Sequence, residues 1–284
     1  MGNGGSNFGL PPRGKYGLKH EHRDLNDEKI KLSKKRSRLD NFSMKKSFPP
    51  IDNQGEYATS VAHAIAAILE FEQVRLNREP IKISKLYLHA LGNGKIRKTL
   101  QRIRKNGLVA DKDLPYNSHP PFPIVDEVFY VNCLKFYVIP SNIYVINSAL
   151  YEGYPILIGL NIYDSFLRRE LWDNDGVMPI PEEGENYEGS MGAVITGYSA
   201  IKRAYEVRLS WGIHFKNDGY FYMPEKIIEN KYFICSIWAM RLEIPNVLKP
   251  KHINTKTQEE LNEEPQIKEV VPKEPAIRKK FSLG

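Results

Sequence analysis

Hydrophobic residues along the chain follow a helical period first and a strand-like pattern later. Residues 60–72 are apolar on nearly every side, which predicts a helix in the centre of a fold. Shorter helices are predicted at 84–91 and 95–106, with Gly107 as the stop signal of the second. The predicted strands lie at 128–138, 155–163, 192–198, 205–211, 219–223 and 232–242. Helices followed by strands indicate an α+β fold rather than alternating βαβ units.

Composition divides the chain into three parts. Residues 1–47 are rich in Gly, Lys and Arg, so we expect a flexible basic arm that buries little apolar surface. Residues 48–245 carry nearly all the aromatic side chains and form the predicted folded domain. Residues 246–284 hold four prolines among Lys and Glu, which predicts an extended, linker-like tail.

Charge is concentrated at one end. The first fifty residues contain 12 Lys and Arg against 5 Asp and Glu, which accounts for the whole net charge of +7. The remainder of the chain is neutral overall. The chain shows neither an apolar run of the roughly 20 residues that a transmembrane helix needs nor the start of a secretory signal. We therefore expect a protein that is neither membrane-spanning nor secreted.

Cysteine usage excludes two further classes of protein. The two cysteines, Cys133 and Cys235, lie in apolar runs and are expected to be buried, reduced thiols. A disulfide framework is excluded, and the chain contains no Cys/His cluster with zinc spacing. We expect neither a metal site nor a cofactor.

The start of the first long helix carries a recognisable motif. Gln54 and Gly55 precede Ser60 at the helix start, and this segment (48–64) resembles the active-site region of papain-like cysteine peptidases. In that family a cysteine attacks the peptide carbonyl from the helix N-terminus, where the dipole and a histidine lower its pKa. The family's glutamine helps to hold the oxyanion. The resemblance places Gln54 at that glutamine and Ser60 at the cysteine.

Two later segments extend the resemblance. Residues 189–198 are similar to the family's strand with Gly-Gly-His-Ala-Val, and an ungapped match places Met191 at the catalytic histidine. Residues 207–212 are similar to the strand that begins Asn-Ser-Trp-Gly, with Leu209 at the asparagine that orients the histidine. The resemblance covers about 48–242 and is nearest to prodomain-free members from bacteria and large DNA viruses. It implies a two-lobed fold, with a helical lobe around a central helix followed by an antiparallel β lobe.

The matched positions do not supply the family's chemistry. Peptide hydrolysis requires a nucleophile, a base and a group that orients the base. Met191 cannot accept a proton, Leu209 cannot orient a base, and the Ser60 hydroxyl needs a base more than a thiol does. We therefore predict that the protein is not an enzyme and has no catalytic residues.

Three other polar residues near the motif have structural interpretations. We expect His63 to be a hydrogen-bonded core histidine and His214 to lie on the surface. Gln54 is expected to bond the local backbone, with a retained oxyanion-type donor as the alternative.

The N-terminus suggests a membrane anchor. Met1-Gly2 with Ser6 fits the pattern for N-myristoylation of Gly2. One myristoyl chain binds membranes marginally, so a second signal is expected. Eight cations of the arm, each worth about 1 kcal/mol close to an anionic leaflet, could contact lipid or other phosphates: Lys29, Lys31, Lys34, Lys35, Arg36, Arg38, Lys45 and Lys46.

These patterns support one leading hypothesis and three alternatives. The leading hypothesis is a non-catalytic structural or interaction protein on the cytoplasmic side of a membrane in a eukaryotic host cell. Its partners would be the anionic leaflet and neighbouring structural proteins, and the viral relatives implied by the resemblance suggest a minor capsid or membrane-to-capsid role in a virion. The alternatives are a regulatory pseudoenzyme that binds an extended peptide in the former substrate groove, a residual hydrolase using Ser60, and a nucleic-acid adaptor using the basic arm. The groove could be open or filled by one of the chain's own ends.

Overall fold

Helices precede an antiparallel sheet in the computed structural model, as the hydrophobic pattern predicts. The structure describes residues 16–243, except 23, 34, 35, 37, 120–124, 126, 132 and 174, together with residues 249–252. Its helices are α1 (Ser60–Arg75), α2 (Lys85–Gly92), α3 (Ile96–Asn106), α4 (Ile143–Tyr151) and the single turn α5 (Asp164–Leu167). Its strands are β1 (Phe42–Ser43), β2 (Glu127–Tyr130), β3 (Leu134–Val138), β4 (Ile156–Tyr163), β5 (Tyr187–Ser199), β6 (Ala204–Arg208), β7 (Tyr220–Pro224), β8 (Ile234–Leu242) and β9 (Lys249–His252). The α+β prediction is confirmed.

Helix α1 is the centre of the helical lobe. Every residue from Ser60 to Gln73 is buried, which is the structural counterpart of its lack of a polar face. Ile65, Ile68 and Leu69 are inaccessible to solvent, and the helix packs against α2 on one side and against β5 and β8 on the other. The start of α1 is therefore fixed where the two lobes meet.

Strand β5 forms the wall between the lobes. The main sheet has the order β3-β8-β4-β5-β6-β7, with every neighbouring pair antiparallel. Side chains alternate along a strand, so Met191 and Ala193 enter the core of the β lobe while Val194 enters the core of the helical lobe. Gly192 lies against α1, where a Cβ atom would stand 2.9 Å from the Cα of Val61.

Two details of the predicted strands are wrong. The single strand predicted at 128–138 is two strands, because β2 pairs with β9 whereas β3 joins the main sheet beside β8. A continuous apolar run carries no information about a change of pairing partner. The strand predicted to reach Trp211 ends at Arg208, and Trp211 instead makes an isolated bridge with Asn53.

The N-terminal arm was predicted to be flexible, but its described part is packed against the domain. We call residues 16–47 the strap, and its described residues lie against the domain, with Tyr16 1% and Leu39 8% exposed. Strand β1 of the strap pairs with Tyr198 and Gly197 at the end of β5. Isolated apolar anchors and backbone hydrogen bonds hold the strap, so its low aliphatic content did not reveal this packing. Residues 1–15 and 253–284 lie outside the described residues.

Candidate functional site

The hydroxyl of Ser60 faces β5 at the junction of the lobes. Ser60 is the first residue of α1 and is inaccessible to solvent. Its Oγ accepts a hydrogen bond from the backbone N–H of Gly192 at 2.9 Å. The side chain that the resemblance places at the nucleophile therefore joins the helical lobe to the β lobe.

Met191 and Leu209 are both packed in the β-lobe core. Met191 is inaccessible to solvent and lies opposite Leu160 of β4. Leu209 is 3% exposed and follows β6. The structure brings Ser60 to the backbone beside Met191, and Leu209 lines a small cavity together with Gly192. At both positions the buried group is apolar and does not exchange protons.

Gln54 is occupied by hydrogen bonds within the protein. Its Nε2 donates to the carbonyl of Tyr57 at 2.7 Å, and its Oε1 accepts from the Ser210 hydroxyl at 2.7 Å. Its backbone N–H also donates to the Ser210 carbonyl at 2.8 Å. This geometry agrees with the structural interpretation of Gln54, since the amide holds the loop before α1 against the strand end after β6.

His63 is a core histidine with a neutral ring. Its Nδ1 lies 3.1 Å from the carbonyl of Thr59, and its ring meets the Tyr116 ring edge-on at 4.7 Å between centroids. Burial lowers the pKa of His63 to about 4, although the Thr59 carbonyl and the nearby Asp52 favour the protonated form. His63 and Ser60, both of which the structure describes, do not form a hydrogen bond with each other. His63 also lines the cavity beside Gly192 and Leu209, which is about the size of one water molecule.

A buried lysine lies close to this cavity and was not singled out from the sequence. Lys85 is 2% exposed, and its Nζ lies 3.0 Å from Asp52 and 3.3 Å from Glu70. Burial raises the pKa of Glu70 against the opposing effect of Lys85. Burial also acts to raise the pKa of Asp52, but Lys85 and His63 together hold it below its ordinary value. The one signal in the sequence was a lysine at the start of the predicted helix 84–91, which is not specific.

The cleft between the lobes contains the chain's own strap. The N–H of Leu18 donates to the carbonyl of Ser190 in the β lobe at 3.0 Å. The N–H of Lys19 donates to the carbonyl of Gly94 in the helical lobe at 2.9 Å. Tyr16 is buried with its ring 5.9 Å from that of Trp211. The strap thus bonds both lobes beside the start of α1.

Gly17 and Leu18 fit this part of the cleft closely. Gly17 has a φ of +100°, and a Cβ atom there would lie 2.2 Å from the carbonyl oxygen of Ala58. Both its backbone conformation and its surroundings require glycine. A methyl carbon of Leu18 lies 2.8 Å from the position that a Cβ atom of Gly159 would take. Leu18 therefore occupies the space that the absent Gly159 side chain leaves open.

His20 continues the contact on the β-lobe side. Its Nε2 lies 3.1 Å from the Ser190 hydroxyl, which itself donates to Asn161 at 2.6 Å. Since the hydroxyl hydrogen is directed to Asn161, His20 acts as the donor to Ser190.

Cys235 lies in the same region, with its Sγ 3.3 Å from the Gly159 carbonyl. Burial raises the pKa of the Cys235 thiol to about 12, and both Cys133 and Cys235 are free thiols that are only partly buried.

The predicted lipid-contact residues follow the strap around the β lobe. Lys29, Lys31, Arg36, Arg38 and Lys46 are exposed, and Lys45 is half-buried. The guanidinium of Arg36 lies 3.8 Å from the centroid of the Tyr151 ring, and Lys45 pairs with Asp218 at 3.3 Å. Gly2, Lys34 and Lys35 lie outside the described residues.

Comparisons with known proteins agree with this geometry. No family model matches the chain. An uncharacterized peptidase C1-like protein from Acanthamoeba polyphaga mimivirus is 24% identical over 236 residues, covering 71% of this chain and 75% of that protein. Xylellain, a cysteine protease from Xylella fastidiosa, has a TM-score of 0.66 at 20% identity, covering 83% of this chain and 99% of its own. A procathepsin B from Trypanosoma congolense has a TM-score of 0.61 at 12% identity, covering 83% and 86%.

The chain has the papain-like fold and is similar in sequence to a C1-like viral protein. The helical lobe around α1 and the antiparallel β lobe are the papain-like architecture that the sequence predicted. The structural neighbours establish the fold.

Two further classes of site are absent from the part of the chain that the structure describes. None of its helices is both long and apolar enough to cross a bilayer. It also contains no group of three or more His, Cys, Asp or Glu side chains arranged to hold a metal ion.

Proposed function

We propose that this papain-like domain does not hydrolyse peptides and acts as an interaction module. The observation that carries the proposal is the arrangement at the start of α1. Ser60 bonds a backbone N–H, while apolar side chains stand at the positions that the family resemblance assigns to the base and its orienting group. Hydrolysis requires a base within hydrogen-bond reach of the nucleophile. His63 does not supply one, because its ring makes no hydrogen bond to Ser60, whose Oγ instead accepts the N–H of Gly192.

The occupied cleft supports the same proposal. Leu18 and Lys19 make backbone hydrogen bonds to opposite lobes, so an extended peptide would have to displace the strap before it could bind there. This favours a structural or interaction role over a regulatory pseudoenzyme with an open peptide groove.

Hydrolase activity is tested with the strap in place and with the strap loosened. We would incubate wild type and Leu18→Asp with a fluorogenic peptide library and with a serine-reactive fluorophosphonate. The proposal expects no turnover and no labelling of Ser60 in either protein. Turnover by Leu18→Asp that disappears when Ser60→Ala is added would contradict it and establish the residual hydrolase.

We further propose that the domain is tethered to a membrane through a myristoyl group on Gly2. The start Met1-Gly2 with Ser6 supports this. The test is the mass of the N-terminal peptide from protein made in a eukaryotic cytosol, with membrane fractionation of wild type and Gly2→Ala. An unmodified Gly2 together with a soluble wild-type protein would overturn the tether.

The viral relative supports a narrower proposal, that the protein is a component of a virion between a membrane and a capsid shell. Its test is quantitative mass spectrometry of purified particles before and after detergent removal of membrane. Retention of the protein in stoichiometric amounts supports a structural role, and its absence from particles contradicts it.

A further inference from the structure

Helix α3 is basic throughout and presents its cations in two directions. The helix contains no acidic residue, and its Arg97 and Arg104 are directed to the strap and the β lobe. Arg97 pairs with Asp27, and the Arg104 guanidinium lies 5.3 Å from the centroid of the Phe136 ring. Lys95, Lys98 and Arg102 follow each other at spacings of three and four residues, which places them on one other face.

The strap adds a third lysine to this face. The backbone N–H of Lys19 donates to the carbonyl of Gly94, two residues before the start of α3. Burial and the positive charges of Lys95 and Lys98 lower the pKa of Lys19, which agrees with this placement. None of the three forms an ion pair with another described residue. The nearby carboxylate of Glu21 accepts from the backbone N–H groups of Arg97 and Lys98, at 2.8 and 3.2 Å.

Two other cations of the strap, in contrast, contact opposite edges of the main sheet. The backbone of Lys29 forms an isolated β-bridge with Val138 of β3. The side chain of Lys45 contacts Asp218 and the ring of Tyr220 in β7. Strands β3 and β7 are the opposite ends of the main sheet. Lys29 and Lys45 therefore lie at opposite edges of the sheet and do not form one compact cluster.

We propose that Lys19, Lys95, Lys98 and Arg102, here called the α3 patch, dock the domain onto an anionic lipid bilayer. The inference rests on the proposed membrane tether and names the surface that the tether brings to the lipid. Gly2 precedes Tyr16 by 14 residues, a length of chain that spans at most about 50 Å. A lipid on Gly2 and the α3 patch can therefore engage the same bilayer. A compact group of cations on one helix face suits a planar anionic surface, where each contributes through proximity rather than through a specific contact.

The test uses unlipidated full-length protein from bacteria, so its result does not depend on Gly2. Binding to vesicles of phosphatidylcholine with and without phosphatidylserine, which makes the surface anionic, is measured by flotation at low salt. The double variant Lys95→Gln/Lys98→Gln is compared with Lys29→Gln/Lys31→Gln, which removes the same charge from the strap. We expect about a thirtyfold loss of binding for the first pair and less than about a twofold loss for the second.

Three outcomes would overturn the α3 patch. These are wild type that does not bind the anionic vesicles, equal losses for the two double variants, and selective binding to an oligonucleotide that the vesicles do not compete. Each would leave the myristoylation experiment on Gly2→Ala unaffected, so the docking surface and the tether fail separately. Unchanged thermal unfolding of both variants confirms that folding is not the cause of a loss.

Discussion

The hydroxyl of Ser60 accepts the backbone N–H of Gly192 at 2.9 Å, across the junction of the two lobes. In a papain-like peptidase a nucleophile stands at this point, and here the same position ties the central helix to the sheet. The bond uses a buried donor that would otherwise lack a partner. Ser60, which the resemblance places at the family's nucleophile, thus has a structural role in joining the two lobes.

Removing this bond should lower stability. Ser60→Ala leaves the Gly192 N–H buried without an acceptor, at a cost of about 1–3 kcal/mol. Gly192→Ala should lower the free energy of unfolding by about 1–3 kcal/mol as well, because its new methyl group would press against the Val61 backbone. Urea denaturation measures both values. Full wild-type stability in Ser60→Ala would mean that the bond does not hold the lobes together.

The central elements were predictable because each carries its own signal. Helix α1 is apolar on all sides and β5 lies in a long apolar run, so their type and order follow from the sequence. The positions of Ser60 and Met191 were also predictable, because the motif residues surround them in sequence. The pairing of β2 with β9 was not, since a run of apolar residues does not identify its partner strand.

The strap was missed for a different physical reason. Its apolar contacts are made by single residues such as Tyr16 and Leu39, which are separated by polar residues. The overall composition of the segment therefore does not reveal them. Much of its attachment comes from backbone hydrogen bonds, as at Leu18 and Lys19, which any residue type can make. The burial of Lys85 was also not predicted. Its acidic partner Glu70 is distant in sequence and lies in a helix whose other residues are mostly apolar.

The seating of the strap in the cleft should depend on Leu18. Leu18→Asp places a carboxylate in the space beside Gly159 and should release residues 16–22 from both lobes. Limited proteolysis with trypsin should then cut after Lys19 at least about tenfold faster, because local opening exposes the backbone. Leu25→Asp is the matched control, since Leu25 belongs to the same strap and is 93% exposed. Equal cleavage rates in the two variants would show that Leu18 does not hold the strap.

The buried Lys85 should be essential for stability. Lys85→Met leaves the carboxylates of Asp52 and Glu70 without their shared cation, a loss that typically costs about 3–5 kcal/mol. Lys82→Met is the control, because the Lys82–Asp111 pair is exposed on the lysine side and is worth about 1 kcal/mol at most. Chemical denaturation at neutral pH compares the two. Similar losses for both variants would indicate that Asp52 and Glu70 are accommodated without Lys85.

Acid should destabilise the domain through His63. Burial lowers the pKa of His63 in the folded protein to about 4, below its ordinary value of 6.5, so the unfolded chain binds the proton more tightly. The contribution is therefore complete above about pH 6.5 and is lost progressively as the pH falls towards 4, by on the order of 3 kcal/mol. His63→Asn keeps a polar group near the Thr59 carbonyl but does not titrate, so its free energy of unfolding should fall less steeply over that interval. His89, whose pKa burial and Lys19 also lower to about 4, contributes to the slope that remains in this variant. Denaturation curves at closely spaced pH values would reject the role of His63 if the two proteins lost stability in parallel.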